Sequence, residues 1–310
     1  MNAPPSPGGR PFPTPSHLAY IALSLAALFW SGNFVAGRAL RDSIDPLTLN
    51  SLRWSICLVL LIPLIAGDLR RHLGALRSEW LLIVGLGTSG LAVFHTCVYL
   101  GLRDTTAINA LLITSLVPAG IMVGAVATGS GRPSAIQWLG AVVSLVGVGV
   151  IVTRGSVDVL LGLRFNSGDL WILASNAAWV VYSLLLRRVP KTLPLDVTLA
   201  ASAAVAVALL IPATLLFVPE ISLGFTLPVW GAIAYIGVFA SLLAFRFWSY
   251  GVRHIGPERS GQFVHLMPLF GAVLAVALLG ETVATPQLSG AALVLVGILL
   301  VNRKARHEPS

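Results

Sequence analysis

Few residues of this chain could do chemistry, because most of it is apolar. His95 and His265 lie inside long apolar runs and are the only side chains there that titrate near neutral pH. Each could carry a proton or meet a ligand, or could be a neutral ring donating one hydrogen bond between helices. Arg53 lies about 10 Å below the end of its run at 1.5 Å per residue. An arginine at such depth costs about 2.5 kcal/mol or more unless it faces a partner or water. It could attract a carboxylate, snorkel outward, or pin helices through backbone carbonyls. Arg246, one turn from the end of its own run, reads as a snorkelling residue.

Trp30 and Trp179 fall near the middle of their runs, although aromatic belts place tryptophan at interfaces. They could wall a cavity, stacking on an apolar ligand and turning a π-face to an ammonium group, or they could simply pack between helices. Asn33, Tyr99, Asn109, Tyr182, Tyr250 and Gln262 would add hydrogen-bonding groups to such a cavity. All 12 acidic residues sit in loops or at run ends. Cation coupling through a mid-membrane carboxylate is therefore not expected, and histidine would have to serve if coupling exists.

The elements that must position these groups are long and hydrophobic. Of 310 residues, 56% are hydrophobic and only 10% charged, far from the roughly 25% charged of soluble domains. Apolar runs of about 20 residues, enough to cross about 30 Å of hydrocarbon, occur ten times: near 18–40, 46–66, 79–102, 105–128, 134–153, 168–188, 195–217, 228–250, 257–279 and 284–302. The expected class is an all-α membrane protein of ten transmembrane helices. Residues 1–17, rich in Pro and Gly, read as a disordered cytoplasmic lead. The segment after them is too long for a signal-peptide core, and 303–310 form a basic tail. Cys57 and Cys97 lie in apolar runs and suggest neither a disulfide framework nor a thiolate metal site.

The chain is also written twice. Shifted by 150 positions without a gap, Gly101, Arg103, Pro118, Gln137, Gly140 and Gly147 fall on Gly251, Arg253, Pro268, Gln287, Gly290 and Gly297. Eight apolar identities between them strengthen the match. The halves are 18–153 and 168–302, joined by a linker at 154–167. With the N-terminus inside, 13 Lys and Arg fall on the inner side and 5 on the outer, which places both termini in the cytoplasm. An odd number of spans per half makes the repeat inverted, the arrangement that permits alternating access. Pro118 and Pro268, at matched depths, are expected kinks that could bend as gates and free a carbonyl. The small residues Gly140, Ser144, Gly147, Gly290 and Gly297 read as a helix-packing or dimer face.

Trp30-Ser31-Gly32-Asn33-Phe34-Val35-Ala36, Arg53, Leu279-Gly280-Glu281 and the series Gln287, Gly290, Gly297 resemble the EamA-type family of drug/metabolite transporters. The resemblance covers both halves, although Gly129-Ser130-Gly131 stands in the first where the second has the Leu-Gly-Glu hairpin. It implies a multi-pass carrier of the bacterial inner membrane, many relatives exporting amino acids or metabolites, with the first four spans of each half around a central cavity. The expected partners are the bilayer and a small-molecule substrate, with no nucleic acid, cofactor or metal, and a monomer suffices. Binding falls to Trp30, Asn33, His95, Tyr99, Trp179, Tyr182, Tyr250, Gln262 and His265. The alternatives are export of drug-like cations or of sugar or nucleotide derivatives, or a non-transport membrane receptor or structural protein. A membrane-embedded hydrolase is not expected, because it needs a nucleophile with its base or paired metal-binding histidines.

Overall fold

The computed structural model describes residues 15–105, 107–162, 164–221, 223–279 and 285–302, all helix and connection. Most of the proline-rich lead, the basic tail and the Gly280-Glu281 part of the hairpin lie outside the described residues. Nine helices among the described residues are long and apolar enough to cross a membrane. The other expected segment, 257–279, is helical in three consecutive pieces, Pro257–Gly261, Gln262–His265 and Leu266–Leu279.

Local chemistry explains several boundaries. The first helix, Pro15–Leu40, begins inside the stretch read as a disordered lead, with proline at its first turn where no N–H is needed. The second helix, Pro46–Ser78, starts at Asp45, whose carboxylate accepts from Leu47 N at 2.8 Å. It runs twelve residues past the expected end at 66, carrying Arg70, Arg71 and Arg77. The cause is composition: good helix formers continue after the apolar run, with an Asp68–Arg71 pair one turn apart. The sixth long helix, Ser167–Arg187, opens with a capping box between Asn166 and Asp169. The linker before it, read as a plain connection, contains a short helix, Val157–Leu161, capped by Ser156.

Helices Ala135–Thr153 and Thr285–Asn302 show that the repeat is inverted. A methyl group added at Gly147 would lie 2.7 Å from the Gly290 carbonyl oxygen, and one at Gly140 would lie 2.7 Å from that of Gly297. These approaches are antiparallel and exchange equivalent residues, as a two-fold axis between the helices requires. Ser144 Oγ donates to the Val294 carbonyl at 3.2 Å, 150 positions away, and so sits on that axis. The small-residue stripe is therefore used within the chain, where it lets the two backbones touch. Large apolar side chains such as Leu216, Leu227 and Leu299 stay more than 60% exposed, as a lipid-facing surface demands.

Two further irregularities repeat. The third and eighth segments each change to π-helix midway, at Gly87–Val93 and Ile236–Leu243. The fourth breaks at Ser115 and Leu116, between helices Ala107–Thr114 and Val117–Ala127, where the ninth has its 3-10 stretch. Pro118 and Pro268 each fall in the first turn of the helix that follows the break. The prolines thus restart a helix and do not bend one in mid-course.

Candidate functional site

The middle of the molecule is an aromatic cluster. Trp30 and Trp179 meet edge to face with ring centroids 5.0 Å apart. Phe245 lies 5.7 Å from Trp30 and 5.5 Å from Trp179, and Trp248 lies 5.4 and 5.2 Å from the same two rings. Such contacts add about 0.5–1.5 kcal/mol each beyond burial. Phe245 and Trp248 were missed by the sequence reading. Their i, i+3 spacing in the second half of the run 228–250 was the available signal.

Beside the cluster lies a narrow cavity lined by Trp30, Asn33, Phe34, Phe94, His95, Val98, Thr114, Val117, Trp179, Val264 and Met267. Its free volume is about 20 Å³, room for one water molecule. A second cleft of about 220 Å³ shares Phe34 and Met267 with it and reaches Arg38 at the end of the first helix.

Four of the nine expected binding residues therefore line the cavity: Trp30, Asn33, His95 and Trp179. Tyr99 stands one layer behind, donating to Asn33 Oδ1 at 2.9 Å. Tyr182 packs at a tilt against Trp179, ring centroids 5.1 Å apart, and is set against Ser249. The other three are elsewhere. Gln262 is buried with its amide on Met122 Sδ at 3.7 Å. His265 Nε2 meets the Ser115 carbonyl at 2.8 Å, again 150 positions away. Tyr250 packs on His254 at 4.0 Å in a peripheral groove, because helical rotation turns it away from the centre. Asn109 also serves another place, donating to Asp169 and to the Arg164 carbonyl.

The carbonyl that Pro118 leaves without a helical donor is that of Thr114; its neighbour at the break, the Ser115 carbonyl, is taken by His265. That bond ties the two breaks together across the two-fold axis. His95 differs from His265. It is 1% exposed, and neither ring nitrogen makes a well-formed hydrogen bond, the contact with the Leu91 carbonyl one turn back being too weak to count. Buried polar atoms are ordinarily satisfied, so two unpaired ring nitrogens beside the cavity set His95 apart.

Arg53 does not snorkel; its side chain is wholly buried. Nε donates to Ser241 Oγ at 2.8 Å, Nη1 to Tyr99 Oη at 2.6 Å and to Asn33 Oδ1 at 3.3 Å, and Nη2 to the Ala240 carbonyl at 3.3 Å. Trp54 and Tyr99 also lie within 6 Å of the guanidinium. Among the described residues it has no carboxylate partner. Arg246, read as snorkelling, instead forms a two-pronged pair with Asp196 at 2.8 and 2.9 Å.

Hydrolytic chemistry finds no support in these positions. Gly87-Thr88-Ser89-Gly90 spells the G-x-S-G pattern of membrane serine proteases, which the reading of the sequence overlooked. Ser89 Oγ, however, donates to the Gly85 carbonyl of its own helix at 2.6 Å, and no base is bonded to it among the described residues. No cluster of metal-ligating side chains occurs among the described residues either.

Two inverted helical halves, with an aromatic cavity and paired helix breaks between them, are the architecture of a membrane transporter. The family model described as the EamA-like transporter family matches the chain twice, over residues 17–153 and 166–303, and the chain belongs to that family. It is 30% identical over 225 residues to an uncharacterized transporter, YyaM, of Bacillus subtilis, covering 72% of this chain and 73% of that one. It is 28% identical over 300 residues to a probable terminal-alkyne amino-acid exporter of Streptantibioticus cattleyicolor, covering 93% and 96%. A solved crystal structure shares the fold with a TM-score of 0.74 at 23% identity, covering 92% of this chain and 96% of that one. The protein is accordingly a multi-pass membrane protein of the bacterial inner membrane.

Proposed function

We propose that the protein is a secondary carrier exporting small organic metabolites, foremost amino acids with neutral or aromatic side chains, by alternating access through the central cavity. The observation that carries this reading is Arg53, a fully buried guanidinium with four oxygen partners and no counter-charge among the described residues. A buried cation without its anion is costly, and a substrate carboxylate would supply one. Asn33 joins the two places, because it both lines the cavity and accepts from Arg53. Trp30 and Trp179 would take the substrate side chain, and His95 would supply a hydrogen bond. The amino-acid exporter among the relatives agrees with this class.

In this reading ten segments cross the membrane, both termini are cytoplasmic, and the repeats are 18–153 and 168–302. The cavity is too small for an amino acid until the halves move, and the breaks before Pro118 and Pro268 are where they bend. Counterflow in proteoliposomes tests the proposal, using labelled amino acids, nucleobases and cationic dyes with and without a pH gradient. Saturable amino-acid exchange that is lost in Arg53→Gln supports it. Exchange of dyes alone would move the assignment to drug-like cations, and no exchange of any compound would overturn it.

A further inference from the structure

The chain also has a polar cavity, far from the aromatic centre and on the face richest in Lys and Arg. It has a volume of about 510 Å³ and lies where three connections meet, lined among others by Arg132, Arg187, Lys191, Arg253, Glu258 and Arg259. Five cations face one acid. That acid is already engaged, because Glu258 accepts from Arg187 at 2.7 Å and is only 12% exposed. Arg132, Lys191 and Arg259 have no acidic partner among the described residues. An excess of cations on the inner face is ordinary, but such an excess does not require them to converge on one hollow.

Arg253 gives the hollow its neighbour. It also lines a groove of about 730 Å³ formed by Leu18, Ile21, Ala22 and Leu25 of the first helix against Leu195 and Phe247. Leu18 and Ile21 are 44% and 55% exposed on the surface that faces lipid. A basic hollow therefore continues, across one arginine, into a largely apolar groove open to the bilayer, whose wall also holds the Arg246–Asp196 ion pair.

We infer that the basic hollow and the adjoining groove bind one anionic phospholipid of the inner leaflet, its phosphate among Arg132, Arg253 and Arg259 and an acyl chain along Leu18, Ile21 and Leu25. Guanidinium forks match phosphate oxygens two at a time, and basic pockets between membrane helices suit acidic headgroups. The groove selects lipid over free phosphate, since a soluble anion would leave it unfilled. The phosphate also competes with Glu258 for Arg187. Because that ion pair ties the end of the sixth segment to the start of the ninth, lipid binding would loosen this tie between them.

The test uses the purified full chain in a zwitterionic detergent and reads the thermal midpoint. The probes are dioctanoyl phosphatidylglycerol, dioctanoyl phosphatidylcholine and inorganic phosphate. Phosphatidylglycerol should raise the midpoint by about 5 °C near saturation, and the other two by much less. Arg132→Gln combined with Arg259→Gln should keep the unliganded midpoint and lose the rise, whereas Arg188→Gln, outside the hollow, should keep both. An equal rise with phosphatidylcholine, an equal rise with phosphate alone, or a rise that survives in the double variant would each overturn the assignment. The readout needs no substrate, so it stands or falls separately from the transport reading.

Discussion

Residues 87–93 and 236–243 occupy equivalent places in the two halves, and both are π-helical. A carbonyl of each, Leu91 and Ala240, one position out of register at the 150-residue offset, accepts an indole N–H, from Trp54 at 3.0 Å and from Trp30 at 3.1 Å. The difference lies in what else they hold. The first stretch takes the neutral amide of Asn50, through the Leu91 and Ala92 carbonyls. The second takes Arg53, through the Ala240 carbonyl and Ser241 Oγ. One backbone device, which opens helix carbonyls to side chains, thus serves packing in one half and a buried charge in the other. Inverted symmetry supplied the frame, and the asymmetry between the two stretches supplies the chemistry.

Removing the charge should break the comparison most severely. Arg53→Ala would strip both Asn33 and Tyr99 of a donor and leave the Ala240 carbonyl and Ser241 without Arg53. At about 1.5–3 kcal/mol for a charge-assisted bond, losing one substrate contact of this kind costs at least about tenfold in exchange. Losing the surrounding order as well should bring the fall to about 100-fold in proteoliposomes. Asn50→Ala, the matched change at the other stretch, should lower the thermal midpoint and leave exchange per folded molecule near wild type. Equal loss of exchange in both variants would show that the two stretches are functionally alike.

How far this was legible in the sequence follows from the same residues. Periodicity and the repeat revealed the helices, because apolar runs of membrane length and a shared Pro, Arg and Gln leave few other readings. Arg53 stood out because a deep arginine is rare. Its partners did not, since Ser241 and the Ala240 carbonyl face it in a π-helical stretch, and a run that is apolar almost throughout carries no periodicity to separate α from π. The fate of Tyr250 and Gln262 was hidden for a related reason: depth along a helix can be counted, whereas rotation about its axis depends on neighbours. Gly140 and Gly290 were visible as a stripe, but only the fold shows that the stripes meet each other across the axis.

The glycines that seat the two stretches offer a second, smaller contrast. A methyl group at Gly87 would lie 2.5 Å from the Ser202 carbonyl oxygen, whereas one at Gly237 would lie 2.7 Å from a methyl of Ile56. Backbone cannot retreat, but an isoleucine rotamer can. Gly87→Ala should therefore cost about 3 kcal/mol, at the upper end for overpacking, and Gly237→Ala about 1 kcal/mol. Paired unfolding curves in detergent check the order. A larger cost at Gly237 would mean that the second stretch, not the first, is the more tightly clasped.

The indole bonds separate the halves more finely. Trp54→Phe and Trp30→Phe each remove one N–H from a π-helical carbonyl, worth about 1 kcal/mol. Trp54 is buried away from the cavity, so its replacement should appear in stability alone. Trp30 lines the cavity, so its replacement should also weaken substrate half-saturation about fivefold. Identical profiles for the two variants would remove the functional distinction between the stretches.

The two histidines give the smallest expected effect and the most discriminating one. His265 holds the Ser115 carbonyl across the axis, so His265→Leu forfeits a made bond and should lower stability by about 1 kcal/mol. His95 makes no comparable bond, so in the empty carrier His95→Leu should change stability by less than about 0.5 kcal/mol, or improve it. A residue that costs nothing to remove at rest and yet slows exchange must act when substrate is present. The decisive measurement is therefore His95→Leu in both assays, midpoint and exchange. A variant unchanged in both would make His95 a packing residue and leave Arg53 as the sole polar anchor of the site.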